Sequence, residues 1–454
     1  MKIIVFHILL ITNILVKSLS ESEIKIGYEV TLAIPTEYAK GFLGRAFLIQ
    51  TQQTAPYFRT AISVEAIDEK YSCSLDIFLG DVKVWSSGHL SKFYTTEKCV
   101  LELTQDGNLR LKGEKEVVGW RSGTAGQGVK RLILLKAGNL VLVDDFNLIK
   151  WQSFNFPTDV MLWGQRLSSQ TRLTSFPVNS TLFYSMEIQT DKIALFLNSG
   201  TSKYSYWEHS PNDERKNITF TLLTSDGLDI FNGRHKFDSI KSNGPEPIRF
   251  LALDNNTGNL RLYRYSEERG KFEASYQALD FTCDLPLACK AYGICTLSGS
   301  CSCIQGSNCK NESLEGLCGN NMELEMVEIQ GVVSVLRSVA LKGNFGNKEE
   351  CARSCLDDCN CVGAEYVEDG DLGECFLFNI VRGIKEVGKG GKGVYMVKVG
   401  KVNNGHGKNH GLKKWVIVMV GVIDGIIIFV VLGGVGYYVI WKRKKDLQVR
   451  GQAT

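Results

Sequence analysis

Cysteine is the residue type with the most chemistry to offer in this chain, and its fourteen copies are unevenly spread. Cys73 and Cys99 stand alone in the first half. Cys283, Cys289, Cys295, Cys301, Cys303, Cys309, Cys318, Cys351, Cys355, Cys359, Cys361 and Cys375 crowd into the second. Thiolates at such spacing could hold zinc or pair as disulfides. No histidine is interleaved with the crowded cysteines, so disulfide staples for small modules with little core are the reading. A Cys73–Cys99 bridge would stabilise by about 3.5 kcal/mol through loop closure in the unfolded chain. The six histidines, His7, His89, His209, His235, His406 and His410, form no metal or triad spacing. Gly388-x-Gly390-x-x-Gly393 imitates a kinase phosphate loop, but no His-Arg-Asp or Asp-Phe-Gly element accompanies it, and a glycine-rich turn before a strand at Val394–Val399 explains it. No Gly-x-Ser-x-Gly element occurs. The sequence reads as non-catalytic, with no cofactor and no metal.

The next candidates are amides and carboxylates in a repeat. Gly107-Asn108-Leu109-Arg110-Leu111 recurs as Gly138-Asn139-Leu140-Val141-Leu142, and a third copy, Gly258-Asn259-Leu260-Arg261-Leu262-Tyr263, lies far downstream. Twelve residues after each of the first two asparagines comes a tryptophan, Trp120 and Trp151; Trp85 extends the series without a Gly-Asn turn. Apolar and polar residues alternate as in half-buried strands, and Gly-Asn supplies the turn before each. Three strand pairs, each ending in a tryptophan, predict a pseudo-threefold β-prism with the indoles near its axis. A second β-rich stretch runs from Phe183 to Asp280, and Asn347–Leu356 reads as a short helix.

These elements are placed by two apolar runs. Ile3–Val16 behind Lys2 has the length of a secretory signal, with cleavage before Glu21. Val416–Ile440, inside the apolar run Trp415–Trp441, gives about 37 Å of helix at about 1.5 Å per residue, enough to span about 30 Å of hydrocarbon. Lys442, Arg443, Lys444 and Lys445 follow it, as the positive-inside rule asks of a cytoplasmic flank. The intervening bulk is expected in an oxidising, glycosylating lumen, and the sequons at Asn179, Asn217, Asn255 and Asn311 fall there. Inside the span, Gly421 and Gly425 share a helix face bordered by Asp424, a pattern for lateral association with itself or with a receptor. A net charge of +3 encourages no nucleic-acid reading.

Trp151-Gln152-Ser153-Phe154-Asn155-Phe156-Pro157-Thr158-Asp159, ending in Gly164-Gln165-Arg166-Leu167, resembles the signature after the bulb-type lectin domain of plant S-domain proteins, the S-locus glycoproteins and G-type lectin receptor-like kinases. Cys283 to Cys309, with Ala291-Tyr292-Gly293-Ile294-Cys295, is similar to their EGF-like module. Cys351-x3-Cys355-x3-Cys359-x-Cys361 with Cys375 is similar to their PAN/apple module. That resemblance implies Cys351–Cys375 and Cys355–Cys361 pairs, leaving Cys359 for Cys318. The likeness is strongest to kinase-lacking, membrane-anchored PAN members of the group. Family lectins bind mannose through Gln-x-Asp-x-Asn-x-Val-x-Tyr. Here Asp106 and Asn108 survive in the first copy, with Thr104, Arg110 and Lys112 in the other slots. Asn139 and Val141 survive in the second, and Asn259 and Tyr263 in the third, where Asn255 and Thr257 replace Gln and Asp. No copy keeps the full acceptor set, so the three asparagines read first as turn residues. Asp106, Asn108, Asn139, Asn259 and Tyr263 remain the candidate sugar contacts.

The expected fold is mainly β: tandem β-prism (bulb-lectin-like) domains, an EGF-like module, a PAN/apple α+β module and a single transmembrane helix. The expected boundaries are 1–20 signal peptide, 24–165 lectin-like domain, 166–280 S-locus-type β domain, 281–315 EGF-like module, 318–400 PAN/apple domain, 401–414 basic linker, 415–441 transmembrane helix and 442–454 cytoplasmic tail. The expected function is recognition of an extracellular peptide, protein or glycan at the plasma membrane by a single-pass type I glycoprotein acting through a receptor kinase or a homodimer. The alternative is a wall-associated adhesive glycoprotein or weak mannose-type lectin.

Overall fold

The computed structural model describes residues 23–34, 41–52, 55–67, 70–176, 182–211, 217–304, 323–338, 343–368, 373–388 and 393–400, and helical Leu432, Gly433, Gly436, Tyr437 and Ile440. Contacts divide the chain into Met1–Gly400 and Lys401–Thr454. Among the described residues no helix is long and apolar enough to cross a membrane. The expected signal, linker and tail lie outside the described residues, as does the span 415–441 apart from those five positions. Gly421, Asp424 and Gly425 are therefore outside them too, as are Asn179, Asn311, Cys309 and Cys318.

Two sets of three antiparallel sheets follow one another. In the first set, three successive strands near the start of the described chain each join a different sheet. Glu23–Lys25 pairs with Arg131–Leu134, Tyr28–Ala33 with Lys98–Leu103, and Leu43–Gln50 with Phe58–Ile67. The second set repeats the plan: Val160–Leu162 pairs with Ile248–Leu253, Arg166–Ser168 with Phe220–Leu223, and Arg172–Thr174 with Leu182–Ile188. The strands obey period two. Leu101, Leu103, Leu109 and Leu111 are fully buried, while Glu102 and Arg110 point to the other face.

The cysteine-rich part is not strung on as a separate bead. Gly293–Cys295 and Cys301–Cys303 form a hairpin whose first strand runs parallel to Ile384–Glu386. Leu324–Ile329, Gly393–Gly400, Gly363–Val367, Gly373–Phe378 and Gly343–Phe345 form one five-stranded sheet. The helix Lys348–Asp357 packs on it. Asn347 caps that helix by accepting from the Glu350 N–H at 2.9 Å, and the Glu350 carboxylate reaches back to the Gly346 N–H at 3.0 Å. Arg337–Ser338 leaves this region to extend the sheet ending at Ser202–His209. Asn379 seals the same junction: its N–H donates to the Tyr204 hydroxyl at 2.8 Å, which donates to Asn379 Oδ1 at 2.6 Å. One apolar cluster consequently runs from Met161 to Val397, while Phe250, Tyr263 and Phe272 of the second set pack into the first set's cluster.

Candidate ligand-binding site

The Gly-Asn copies are corners of the fold. Asn108 Oδ1 accepts from the Gly123 N–H (3.1 Å), the Thr124 N–H (3.3 Å) and the Ser122 hydroxyl (3.2 Å). Asn139 Oδ1 accepts from the Phe154 N–H and the Ser153 hydroxyl, both at 3.3 Å, and its Nδ2 donates to Gln152 Oε1 at 2.8 Å. Asn259 closes a backbone pair with Leu279, donating at 2.7 Å and accepting at 3.1 Å. Each asparagine ties the start of one strand to the loop after the strand's hairpin partner. The glycine before it has positive φ and no room for a side chain: at Gly138 (φ 83°) a Cβ would lie 2.4 Å from the Phe58 ring.

The slots around these asparagines are engaged by the protein itself. In the first copy Lys112 is buried among Glu29 (3.1 Å), Glu102 (3.0 Å) and Glu116 (2.8 Å), and Arg110 holds Glu102 at 2.8 Å. Burial of Glu102 acts to raise its pKa, but the hydrogen bonds and charges of Lys112 and Arg110 outweigh it and hold the carboxyl below its ordinary value. Hydrogen bonding to Glu116 leads the upward shift at Lys112. Asp106 is exposed and accepts from the Thr104 hydroxyl. In the third copy Arg261 pairs with Asp254 at 2.8 Å, Asn255 donates to Asp159 at 2.5 Å, and Tyr263 stacks on Phe250 with ring centroids 4.7 Å apart.

The tryptophans converge instead. Ring centroids of Trp85, Trp120 and Trp151 lie 6.3 Å (Trp85–Trp120), 5.9 Å (Trp85–Trp151) and 5.8 Å (Trp120–Trp151) apart, all three pairs edge to face. Each stands beside a register shift in its hairpin, opposite Ile77, Leu111 and Leu142 respectively; such a bulge re-aims a side chain. Two residues after each tryptophan a serine hydroxyl accepts a backbone N–H of the facing strand: Ser87 from Leu75 (2.9 Å), Ser122 from Leu109 (3.0 Å) and Ser153 from Leu140 (3.0 Å). The Trp-x-Ser unit therefore repeats three times, including the copy that lacks Gly-Asn. This regularity is visible in the sequence once the structure explains it.

Above the indoles opens a groove of about 520 Å³ lined by the three tryptophans, His89, Leu90, Arg121, Asn155, Phe156, Thr158 and Arg172, among others. Trp85 Nε1 donates to the Phe156 carbonyl at 2.8 Å, and the Phe156 ring stacks on Trp151 at 5.8 Å. His89 is buried, with Nε2 2.6 Å from the Thr174 carbonyl and Nδ1 3.8 Å from Asp159. Burial lowers its pKa, partly offset by the Asp159 charge and the Thr174 bond. The sequence reading did not pick out this groove, because its wall joins residues from both sets of sheets.

Five disulfides have both partners among the described residues: Cys73–Cys99, Cys283–Cys295, Cys289–Cys301, Cys351–Cys375 and Cys355–Cys361. The last two are the pairs that the apple resemblance implies. Cys303 and Cys359 are also disulfide-bonded, and among the described residues no cysteine is free. Of the sequons, Asn217 is exposed, while Asn255 is half-buried with its amide engaged by Asp159. Among the described residues no cluster of His, Cys, Asp or Glu is arranged to hold a metal.

A family model described as D-mannose binding lectin matches residues 83–181, and one described as PAN-like domain matches residues 326–399. The chain is 26% identical over 350 residues to the G-type lectin S-receptor-like serine/threonine-protein kinase SD2-5 of Arabidopsis thaliana, covering 72% of this chain and 41% of that one. It is 27% identical over 293 residues to the PAN domain-containing protein At5g03700 of the same plant, covering 60% and 58%. It is 28% identical over 327 residues to the putative receptor protein kinase ZmPK1 of Zea mays, covering 64% and 38%. The chain spans about half the length of the curated relatives it matches. Solved monomeric mannose-binding lectins of Gastrodia elata align with 29% of this chain and 96% of theirs, at 21% identity and a TM-score of 0.19. A lectin-type match with a PAN-like match after it, together with relatives named G-type lectin S-receptor-like kinases and PAN domain-containing protein, makes this chain similar to the S-domain proteins.

Proposed function

We propose that this protein is a receptor-like surface glycoprotein whose Met1–Gly400 unit recognises an extracellular ligand and which acts through a partner, a receptor kinase in the first instance. The observation that carries the reading is the joining of a lectin-type and a PAN-like match in one compact unit, in a chain similar to proteins named receptor kinases. Both are non-catalytic domain types, so output is assigned to the partner. Within this proposal the two sets of sheets are tandem β-prisms with boundaries near 24–165 and 166–280, followed by an EGF-like module at 281–315 and a PAN/apple module at 318–400. A leader at 1–20 and an anchor at 415–441 place them outside the plasma membrane, with linker and tail at 401–414 and 442–454. Gly421, Asp424 and Gly425 are proposed as the contact face of the anchor.

Mannose recognition by the repeats is disfavoured, because Arg110, Lys112, Arg261 and Tyr263 stand in or beside the acceptor slots and are bound within the fold. The test is affinity purification of the full-length chain from detergent-solubilised membranes beside a Gly421→Ile, Gly425→Ile variant. A protein kinase should be recovered with the first and reduced with the second. Recovery of wall polysaccharide and no kinase would favour the adhesive alternative.

A further inference from the structure

The groove over the tryptophan trio combines features that no repeat position offers. Its floor is aromatic, with Trp120 half-buried, and its rim carries Phe156 and Leu90, which are 54% and 78% exposed. Its charged lining residues are arginines, Arg121 and Arg172, with no aspartate or glutamate among them. Arg172 shares its charge with Glu187 at 3.4 Å, whereas Arg121 is exposed and makes no ion pair among the described residues. A volume of about 520 Å³ lies within the ordinary range of ligand pockets.

Aromatic rings present a flat apolar face to a partner that has one. Unpaired guanidinium groups select a carboxylate, phosphate or sulfate. A pyranose carrying a carboxylate meets both demands: its C–H face covers Trp120 and its carboxylate faces Arg121. We infer that this groove is the recognition site of the proposed receptor and that it takes an acidic sugar, a uronic-acid oligosaccharide, in place of a neutral mannoside. The inference rests on the receptor reading but is tested apart from it.

The experiment is isothermal titration of the purified full-length chain with tri-galacturonic acid, its methyl ester, mannotriose and a tyrosine-sulfated peptide, with tryptophan emission followed in parallel. The acid should bind and shift the emission. Its methyl ester and the Arg121→Ala variant should each lower affinity about 10-fold or more, the range of a lost charge-assisted hydrogen bond. Arg121→Lys should recover part of the loss. Arg121 lies on the surface, so its variants are expected to fold, and near-ultraviolet circular dichroism checks this. Equal binding of acid and ester, an unaffected Arg121→Ala variant, preference for mannotriose or the sulfated peptide, or no binding would each overturn the assignment. The kinase purification is independent of all these outcomes, so a failed groove and a failed receptor reading are told apart.

Discussion

Replacing Gly138 with alanine tests whether the repeated Gly-Asn pair is a packing device. Two costs are expected. Holding an alanine at φ 83° requires the left-handed region, at roughly 1–2 kcal/mol. The new Cβ would also stand 2.4 and 2.7 Å from two atoms of the Phe58 ring and 2.8 Å from Leu162 Cδ1. Phe58 and Leu162 are 5% and 3% exposed, and their core cannot yield freely, so overpacking adds about 1–3 kcal/mol. The sum is about 2–5 kcal/mol. Gly123 is the matched control: its φ is 74°, but a Cβ there meets nothing within 4 Å, so Gly123→Ala should show only the first cost. Urea unfolding followed by tryptophan emission reports both variants through the adjacent indoles. If Gly138→Ala and Gly123→Ala lose the same stability, the steric half of the reasoning fails. If both are neutral, the backbone half fails as well.

Glu114 accepts from the Thr96 N–H (3.0 Å) and the Thr95 hydroxyl (2.8 Å), and these bonds pull its pKa from 4.5 to about 2. A depressed carboxyl stabilises the fold above its unfolded pKa, so the stability gap between the parent and Glu114→Gln should be full at pH 7 and close between pH 4.5 and 2 in thermal melts. Removing Cys351–Cys375, which closes a separation of 24 residues, should cost about 3.5 kcal/mol, against about 2.4 for Cys355–Cys361 with its separation of 6; paired Cys→Ala melts should preserve that order. Peptide mass spectrometry after glycosidase treatment should find Asn217 occupied and Asn255 unmodified, because the Asn255 side-chain N–H donates to the Asp159 carboxylate. Full occupancy at Asn255 would refute the protection argued from this contact.

What could be read from the sequence divides along range of contact. The helix at Asn347–Leu356 and the strands after each Gly-Asn were legible, because period, cap and turn are local signals: the helix forms as Lys348–Asp357 and the strands as Leu109–Lys112, Leu140–Val143 and Leu260–Ser266. The convergence of Trp85, Trp120 and Trp151 was legible because a repeat implies symmetry. Three short strands that each open a different sheet were not, since Glu23–Lys25 and Val160–Leu162 find partners about a hundred residues away. Nor was the welding of Arg337–Ser338 to Ser202–His209, which no periodicity encodes. The candidate sugar residues were identifiable as a degenerate motif, but the engagement of Arg110 and Lys112 by Glu102, of Arg261 by Asp254 and of Tyr263 by Phe250 depends on neighbours in the fold. The groove escaped because Arg121 and Arg172 come together only through the packing of two separate sets of sheets.

Everything functional depends on the sheets facing the outside of the cell. Labelling intact cells with a membrane-impermeant biotin reagent, recovering the labelled chain and mapping its thiols and Asn217 tests this in one step. The account predicts labelled lysines within residues 23–400, a glycan on Asn217 and bonded Cys73–Cys99 and Cys351–Cys375. Labelling only after permeabilisation, with reduced cysteines and a bare Asn217, would contradict it.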